Sequence, residues 1–214
     1  MRRLAGLYAI TDARCGRELF AATEAALRGG VRLVQYRDKR AGQGRREAEA
    51  RGLCRLVHNY GALLLINDDA RLAAAVEADG VHLGREDLDP TLARELLGAA
   101  AVIGVSCYDS LARARAAVAA GADYVAFGSV FPSPTKPHAR RVSLERIRQA
   151  RGELAVPICA IGGIRLENIS AVLAAGVDLP AVVSALFSAG DIEATARSLV
   201  GLCAAPRRDA GPGS

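Results

Sequence analysis

The feature that most constrains this chain is a rhythm that runs through it eight times. An Ala/Leu/Arg-rich run with helical spacing leads to a glycine or small-residue turn, then a short apolar run, then polar residues. The turn and apolar parts read "LAGLYAITD", "RGGVRLVQYRDK", "NYGALLLINDD", "ADGVHLGRED", "AAAVIGVSCYD", "GADYVAFGSVFPSPTK", "LAVPICAIGG" and "AGVDLPAVVSA". They predict eight strands. Helical patterns fill the intervals, at about 17–28, 44–59, 69–77, 90–98, 109–120, 143–151, 166–175 and 189–203, and Gly61, Gly121 and Gly176 stand where helices stop. The strands are continuous apolar runs, as expected when both faces are buried, and their alternation with helices demands parallel crossovers. Eight such units in 214 residues predict one α/β domain over residues 1–203, a single (β/α)8 TIM barrel. An open doubly wound sheet is the competing arrangement. The end of the chain, "AAPRRDAGPGS", predicts a disordered tail over 204–214.

A barrel of this kind opens its active-site face at the C-terminal ends of its strands, and polar residues collect there. Thr11 and Asp12 follow the first strand, Gln35, Arg37 and Lys39 the second, Asn67 and Asp68 the third, and Asp87 the fourth. Ser106, then Ser133, Thr135 and Lys136, then Gly162 and Gly163, then Ser184 follow in turn. The N-terminal strand ends begin mostly with Gly, Ala and Val. In "VQYRDK", Gln35, Arg37 and Lys39 alternate and would share one face of a strand.

The net charge is +5, and all but two of the 28 basic residues are arginine; the exceptions are Lys39 and Lys136. A lysine kept against such a bias suits a phosphate that needs a compact, flexible ammonium. Nucleic acid is disfavoured as a partner, because the arginines are scattered along helices and aromatics are only 4%. Small phosphorylated molecules fit better, with a homodimer compatible. No membrane span is predicted, since the apolar region from Ile169 to Gly190 is interrupted by Gly176, Asp178 and Pro180. Cys15, Cys54, Cys107, Cys159 and Cys203 form no CxxC pair, and "MRRLAGLYAITD" lacks a long apolar stretch; both point to the cytoplasm.

Arg37 and Lys39 from the end of the second strand and Lys136 from the end of the sixth converge on one mouth, so a polyanion that offsets their repulsion is expected there. Asp68 and Asp87 end consecutive strands and suggest Mg2+, which is commonly held by one or two carboxylates with water and phosphate completing its shell. One of Asp68 and Asp69 is expected to cap the helix "ARLAAAVEA" instead. "AIGGI" (160–164) and "VVSA" (182–185) suggest a second anion site, from backbone N–H groups at the seventh strand and Ser184 at the last helix. Two anion sites and a metal point to substitution at a carbon bearing diphosphate. No nucleophile–histidine set is in view. His58 falls in the second helix away from any strand end, and His82 lies inside the fourth strand, where a core or supporting role is expected; His138 receives no ligand role. Prolines 132, 134 and 137 make "FPSPTKPHAR" a stiff loop suited to a lid carrying Lys136.

The motifs "LYAITD", "QYRDK", "NDD", "GVHLGRED", "GVSCY", "DYVAFGSVFPSPTK", "AIGGI" and "AVVSALF" occur in the order and spacing of thiamine phosphate synthase, which residues 7–187 resemble. The resemblance implies a transferase that joins a hydroxymethylpyrimidine diphosphate to a thiazole phosphate, with release of diphosphate. It implies that Gln35, Arg37, Lys39, Asn67, Ser106 and Lys136 hold the pyrimidine diphosphate, with Arg37, Lys39 and Lys136 catalytic. It further implies that Asp68 and Asp87 bind Mg2+, and that Ser133, Thr135, Gly163, Val183 and Ser184 contact the thiazole phosphate. The implied path is dissociative, through a pyrimidine carbocation. This chain departs from the family pattern at Leu179–Pro180, Tyr108 and Arg85. A thiazole tautomerase of the same fold, whose catalytic histidine falls at Ser129, and a non-catalytic thiamine phosphate-binding barrel are the rival readings.

Overall fold

Strand pairing runs once around the molecule and returns to its start. The computed structural model describes residues 4–12, 15, 18–132 and 141–205. Its strands are β1 (Tyr8–Ile10), β2 (Leu33–Tyr36), β3 (Leu63–Asn67), β4 (Gly80–Leu83), β5 (Val102–Tyr108), β6 (Tyr124–Gly128), β7 (Ile158–Ile161) and β8 (Leu179–Val182). Each pairs in parallel with the next, and β8 closes on β1 with Tyr8 opposite Ala181 and Ala9 opposite Val182. Helices α1 (Leu19–Arg28), α2 (Gln43–Asn59), α3 (Ala70–Ala75), α4 (Pro90–Leu97), α5 (Leu111–Ala119), α6 (Leu144–Glu153) and α7 (Ile169–Ala174) are the crossovers. After β8 come a four-residue helix, α8 (Ser184–Phe187), and then α9 (Ile192–Ala204). The eight-stranded barrel is therefore present. The end of the chain from residue 206, in the segment expected to be a tail, lies outside the described residues.

The local chemistry explains where helices begin. Asp69, Asp89, Ser110, Ser143 and Asp191 each sit at an N-cap and accept a backbone N–H from the first turn of α3, α4, α5, α6 and α9. Helix ends are set at Gly61, Gly121 and Gly176, whose φ angles of +64°, +87° and +94° suit glycine.

Alternate residues of the strands face two cores. Leu7, Ala9, Val34, Tyr36, Leu64 and Ile66 pack outward against the helices. Tyr8, Ile10, Leu33, Leu65, Tyr124, Cys159 and Leu179 fill the barrel. Each fully buried Leu or Ile contributes about 1.5–3 kcal/mol relative to exposure. Pro180 is the second residue of β8, opposite Ala160.

The N-terminal face carries a device used three times. Asp79, Asp123 and Asp178 each stand one residue before an even-numbered strand. Each donates its backbone N–H to a carbonyl of the preceding strand (Leu64, Ile103, Ile158), and its carboxylate accepts the N–H of that same residue at 2.7–2.9 Å. The side chain thus does the work of one more strand residue. A group from the helix that leads into the neighbouring odd-numbered strand (α2, α4 or α6) meets each carboxylate: His58 Nε2 at 2.8 Å, Arg94 at 2.6 Å and Arg151 at 2.8 Å. His58 is therefore not remote from the strand ends; it lies at the bottom of β4. This face concerns stability, not chemistry.

Asp123→Ala removes a buried acceptor shared by Ile103 and Arg94. It is expected to cost about 2–3 kcal/mol. In a chain of this length that is a Tm loss of about 4–12 °C, measured by thermal melts, with turnover at low temperature unchanged.

Candidate functional site

Two adjoining cavities open at the C-terminal ends of the strands, and Asn67 lines both. The first, about 370 Å³, sits over the barrel axis and is lined by Gln35, Arg37, Ser106, Gly163, Val183 and Ser184, among others. The second, about 520 Å³, lies over β2 and β3 and is lined by Lys39, Asp68, Asp69, Arg46 and Arg71 among others. Most of the residues read from the sequence therefore meet at one mouth. Ser133, Thr135 and Lys136, and the loop expected to act as a lid, lie outside the described residues apart from its first residues.

β2 ends at Tyr36, so Gln35, Arg37 and Lys39 do not share a strand face as the alternation suggested. Gln35 is the last inward residue of the strand and is buried. Arg37 follows it over the same cavity, its backbone N–H donating to Thr11 Oγ1 at 3.0 Å. Between the two cations, Asp38 closes the turn by accepting from the N–H groups of Arg40 and Ala41. Lys39 is thereby carried outward, where its Nζ meets Asp68 at 2.8 Å.

The doubled aspartate after β3 divides its labour. Asp69 caps α3, accepting from Leu72 N at 2.9 Å, and also meets Arg46 at 3.2 Å. Asp68, at φ +66°, turns the other way; its N–H donates to the His82 carbonyl at 2.8 Å, and its carboxylate faces Lys39 and Asp87. Burial works to raise the Asp68 pKa, but hydrogen bonds with Lys39, Asp87 and Asn67 and the lysine charge outweigh it, so the carboxyl titrates below its ordinary range. Asp87 goes the opposite way. Burial raises it, the 2.6 Å bond from Gly84 N lowers it, and the neighbouring Asp68 charge raises it again, leaving a net upward shift. Two neighbouring carboxyl groups that cannot both ionise freely push their pKa values apart. A divalent cation would relieve that repulsion, and two partly solvated carboxylates suit Mg2+, whose remaining ligands come from water and phosphate. Among the described residues no group of three or more His, Cys, Asp or Glu side chains gathers as a metal site.

Across the same mouth, Gly162 and Gly163 take φ of +105° and +66°. A Cβ on Gly162 would fall 2.0 Å from Ser129 Oγ, and one on Gly163 2.3 Å from the Pro132 carbonyl. These glycines therefore make a tight turn and let backbone reach the cavity wall as well. Ser184 opens α8 rather than the last helix, which is α9. A short extra helix after the eighth strand is a usual phosphate-binding element of this barrel.

Arg113, Tyr8 and Tyr124 had no functional reading from sequence. Arg113, from α5, donates to the Ser106 carbonyl at 2.7 Å and to the Gly84 carbonyl at 2.9 Å, tying the end of β5 to the loop that carries Asp87. Nothing distinguished it among so many helix arginines. Arg85 and Arg113 both lie over the Tyr108 ring, at 5.0 and 6.0 Å from its centroid. Tyr8 and Tyr124 read as apolar strand positions, yet their hydroxyls meet at 2.9 Å inside the barrel. His82 keeps the supporting place expected of it, its Nε2 lying 2.9 Å from Ser106 Oγ.

The family described as Thiamine monophosphate synthase matches residues 7–186. The chain is 58% identical over 198 residues to the thiamine-phosphate synthase of Halorhodospira halophila, covering 92% of this chain and 94% of that protein. It is 53% identical over 202 residues to the thiamine-phosphate synthase of Thioalkalivibrio sulfidiphilus, covering 94% and 96%. Thiamine phosphate pyrophosphorylase from Pyrococcus furiosus superposes with a TM-score of 0.86 at 38% identity, covering 94% of this chain and 96% of that one.

The opposed titration of the acidic pair has a measurable sign. Because the Asp87 pKa is raised by the fold, its charged form destabilises the native state as pH rises through its titration, and the protonated form does not. Asp87→Asn, without added Mg2+, is expected to raise Tm at pH 7 by about 2 °C, the order given by relief of one partly screened contact. The difference should shrink and disappear as pH falls into the ordinary aspartate range, because a raised pKa makes Asp87 take up its proton before an unperturbed aspartate does. Melting curves of both proteins across pH check this.

Proposed function

The chain belongs to the thiamine monophosphate synthase family, enzymes of the transferase type in thiamine biosynthesis, and on that footing we propose the reaction and the roles that follow. The enzyme joins 4-amino-2-methyl-5-(diphosphooxymethyl)pyrimidine to a hydroxyethylthiazole phosphate and releases diphosphate. The observation that carries this reading is the meeting of Lys39 with Asp68, beside Asp87, on the same mouth as Arg37. Cations and an acidic pair around one opening suit a leaving group with several negative charges.

The bond order of events is dissociative. The carbon–oxygen bond to diphosphate breaks first, and both electrons leave with the diphosphate. The remaining pyrimidine cation is stabilised by its own amino group. The thiazole nitrogen then supplies its lone pair to the carbon, giving the thiazolium product with no proton to remove. Such a path needs stabilisation of departing charge and a dry pocket more than a strong base, in keeping with a buried Gln35 and an apolar cavity floor of Ile10, Ala126 and Ala181.

Arg37, Lys39 and Lys136 neutralise the diphosphate as it leaves, and Gln35, Asn67 and Ser106 hold the pyrimidine. Gly163, Val183 and Ser184, with Ser133 and Thr135, receive the thiazole phosphate. Asp68 and Asp87 would hold Mg2+, which when bound supplies positive charge to the departing diphosphate. Arg113 keeps Ser106 and the Asp87 loop in register.

Diphosphate release is expected only when both substrates and Mg2+ are present. Asp87→Ala and Lys136→Ala should each lower kcat/KM at least about 100-fold, the order found when a group that stabilises developing charge is removed. A coupled diphosphate assay decides it: equal rates in the three proteins would reject the site, and a wild type without turnover would favour a tautomerase or a binding protein.

A further inference from the structure

Five polar side chains from five strands form an unbroken line within the barrel. Gln35 Nε2 donates to Tyr8 Oη at 2.6 Å. Tyr8 Oη lies 2.9 Å from Tyr124 Oη, which lies 2.7 Å from His82 Nδ1, and His82 Nε2 lies 2.9 Å from Ser106 Oγ. Strand register explains how they reach one another. His82 on β4 and Tyr124 on β6 both stand opposite Gly104 on β5. A Cβ on Gly104 would fall 2.0 Å from the Tyr124 ring, so only glycine there lets the two rings stack at 5.6 Å between centroids. Tyr8 and Tyr124 are wholly enclosed, and burial raises both phenols far above their ordinary pKa, keeping both hydroxyl hydrogens in place.

Counting hydrogens restricts the line to two states. Each phenol and a neutral imidazole bring one hydrogen apiece. Four contacts need four hydrogens, the three inner members bring three, and the fourth comes from one end. If an inner member pointed its hydrogen against the others, one contact would hold two hydrogens or none. The line must therefore run wholly from Gln35 to Ser106 or wholly back. The Gln35 amide nitrogen faces Tyr8, which selects the first sense. Tyr8 donates to Tyr124, Tyr124 donates to His82 Nδ1, and His82 Nε2–H donates to Ser106 Oγ.

Both ends line the cavity over the barrel axis. We infer that Tyr8, Tyr124 and His82 are positioning residues: through this one-way line they make Ser106 a hydrogen-bond donor and the Gln35 amide oxygen an acceptor toward the bound molecule. The pocket then selects a ring that offers a lone pair to Ser106 and a hydrogen to Gln35, a complement that an aminopyrimidine edge supplies. The identity of that ring rests on the proposed function; the sense of the line does not.

Two measurements test it. Nitrogen NMR of the full-length protein labelled with ¹⁵N-histidine, at about pH 8 where an ordinary imidazole is neutral, reads the His82 tautomer without substrate. The His82 signals are identified by their loss in His82→Asn. A single Nε2–H tautomer is expected, and an Nδ1–H tautomer or a mixture of the two would overturn the inference, whatever the enzyme's reaction proves to be. The second is a kinetic cycle. Tyr124→Phe removes one hydroxyl and is expected to lower kcat/KM for the pyrimidine diphosphate about tenfold while leaving the KM of the thiazole phosphate unchanged. If Tyr124 acts through Ser106, the double variant Ser106→Ala/Tyr124→Phe is no slower than Ser106→Ala alone; losses that multiply would reject the positioning role. Tyr8→Phe serves the same cycle should Tyr124→Phe fail to fold.

Discussion

Closure of β8 onto β1 by parallel pairing is the constraint from which the rest of the molecule follows. With all eight strands parallel and no free edge, every C-terminal strand end must emerge on one rim, and every N-terminal end on the other. Residues far apart in the chain, such as Gln35, Ser106 and Ser184, thus come to line one cavity. The helices outside are held by the outward-facing halves of the same strands, so rim and scaffold are built from alternate residues of one ladder.

The two rims use carboxylates in opposite ways. At the N-terminal rim, Asp79, Asp123 and Asp178 are each matched to a backbone N–H of the neighbouring strand and to a side chain of the helix that leads into that strand. At the C-terminal rim, Asp68 and Asp87 face each other, with Lys39, whose side chain is 60% exposed, as the cation beside them. An acidic pair with opposed pKa shifts is poor structural glue and a good receptor for positive charge. That asymmetry separates scaffold from site without appeal to any relative.

Much of this was legible in the chain because the underlying signals are local. Apolar runs between helical patterns, caps such as Asp69 and stops such as Gly61 each depend on a few neighbouring residues. The polar residues after each strand marked the site for the same reason. Asp79, Asp123 and Asp178 carried a faint signal, an aspartate one residue before alternate strands, but its meaning depends on the strand beside it. Arg113 gave none, since it is one arginine among many on helices and its partners, Ser106 and Gly84, belong to other elements.

The sequence by itself determined the eightfold alternation, the parallel barrel, and which strand ends carry polar groups, because periodicity and turn chemistry act over a few residues. Only the tertiary structure decided that Lys39 turns away from Gln35 to meet Asp68, that Asp68 and Asp87 come together with opposed pKa shifts, and that Gln35, Tyr8, Tyr124, His82 and Ser106 form one line. Those facts depend on strand register and on the missing side chain of Gly104, which set distances across the barrel that no local pattern encodes.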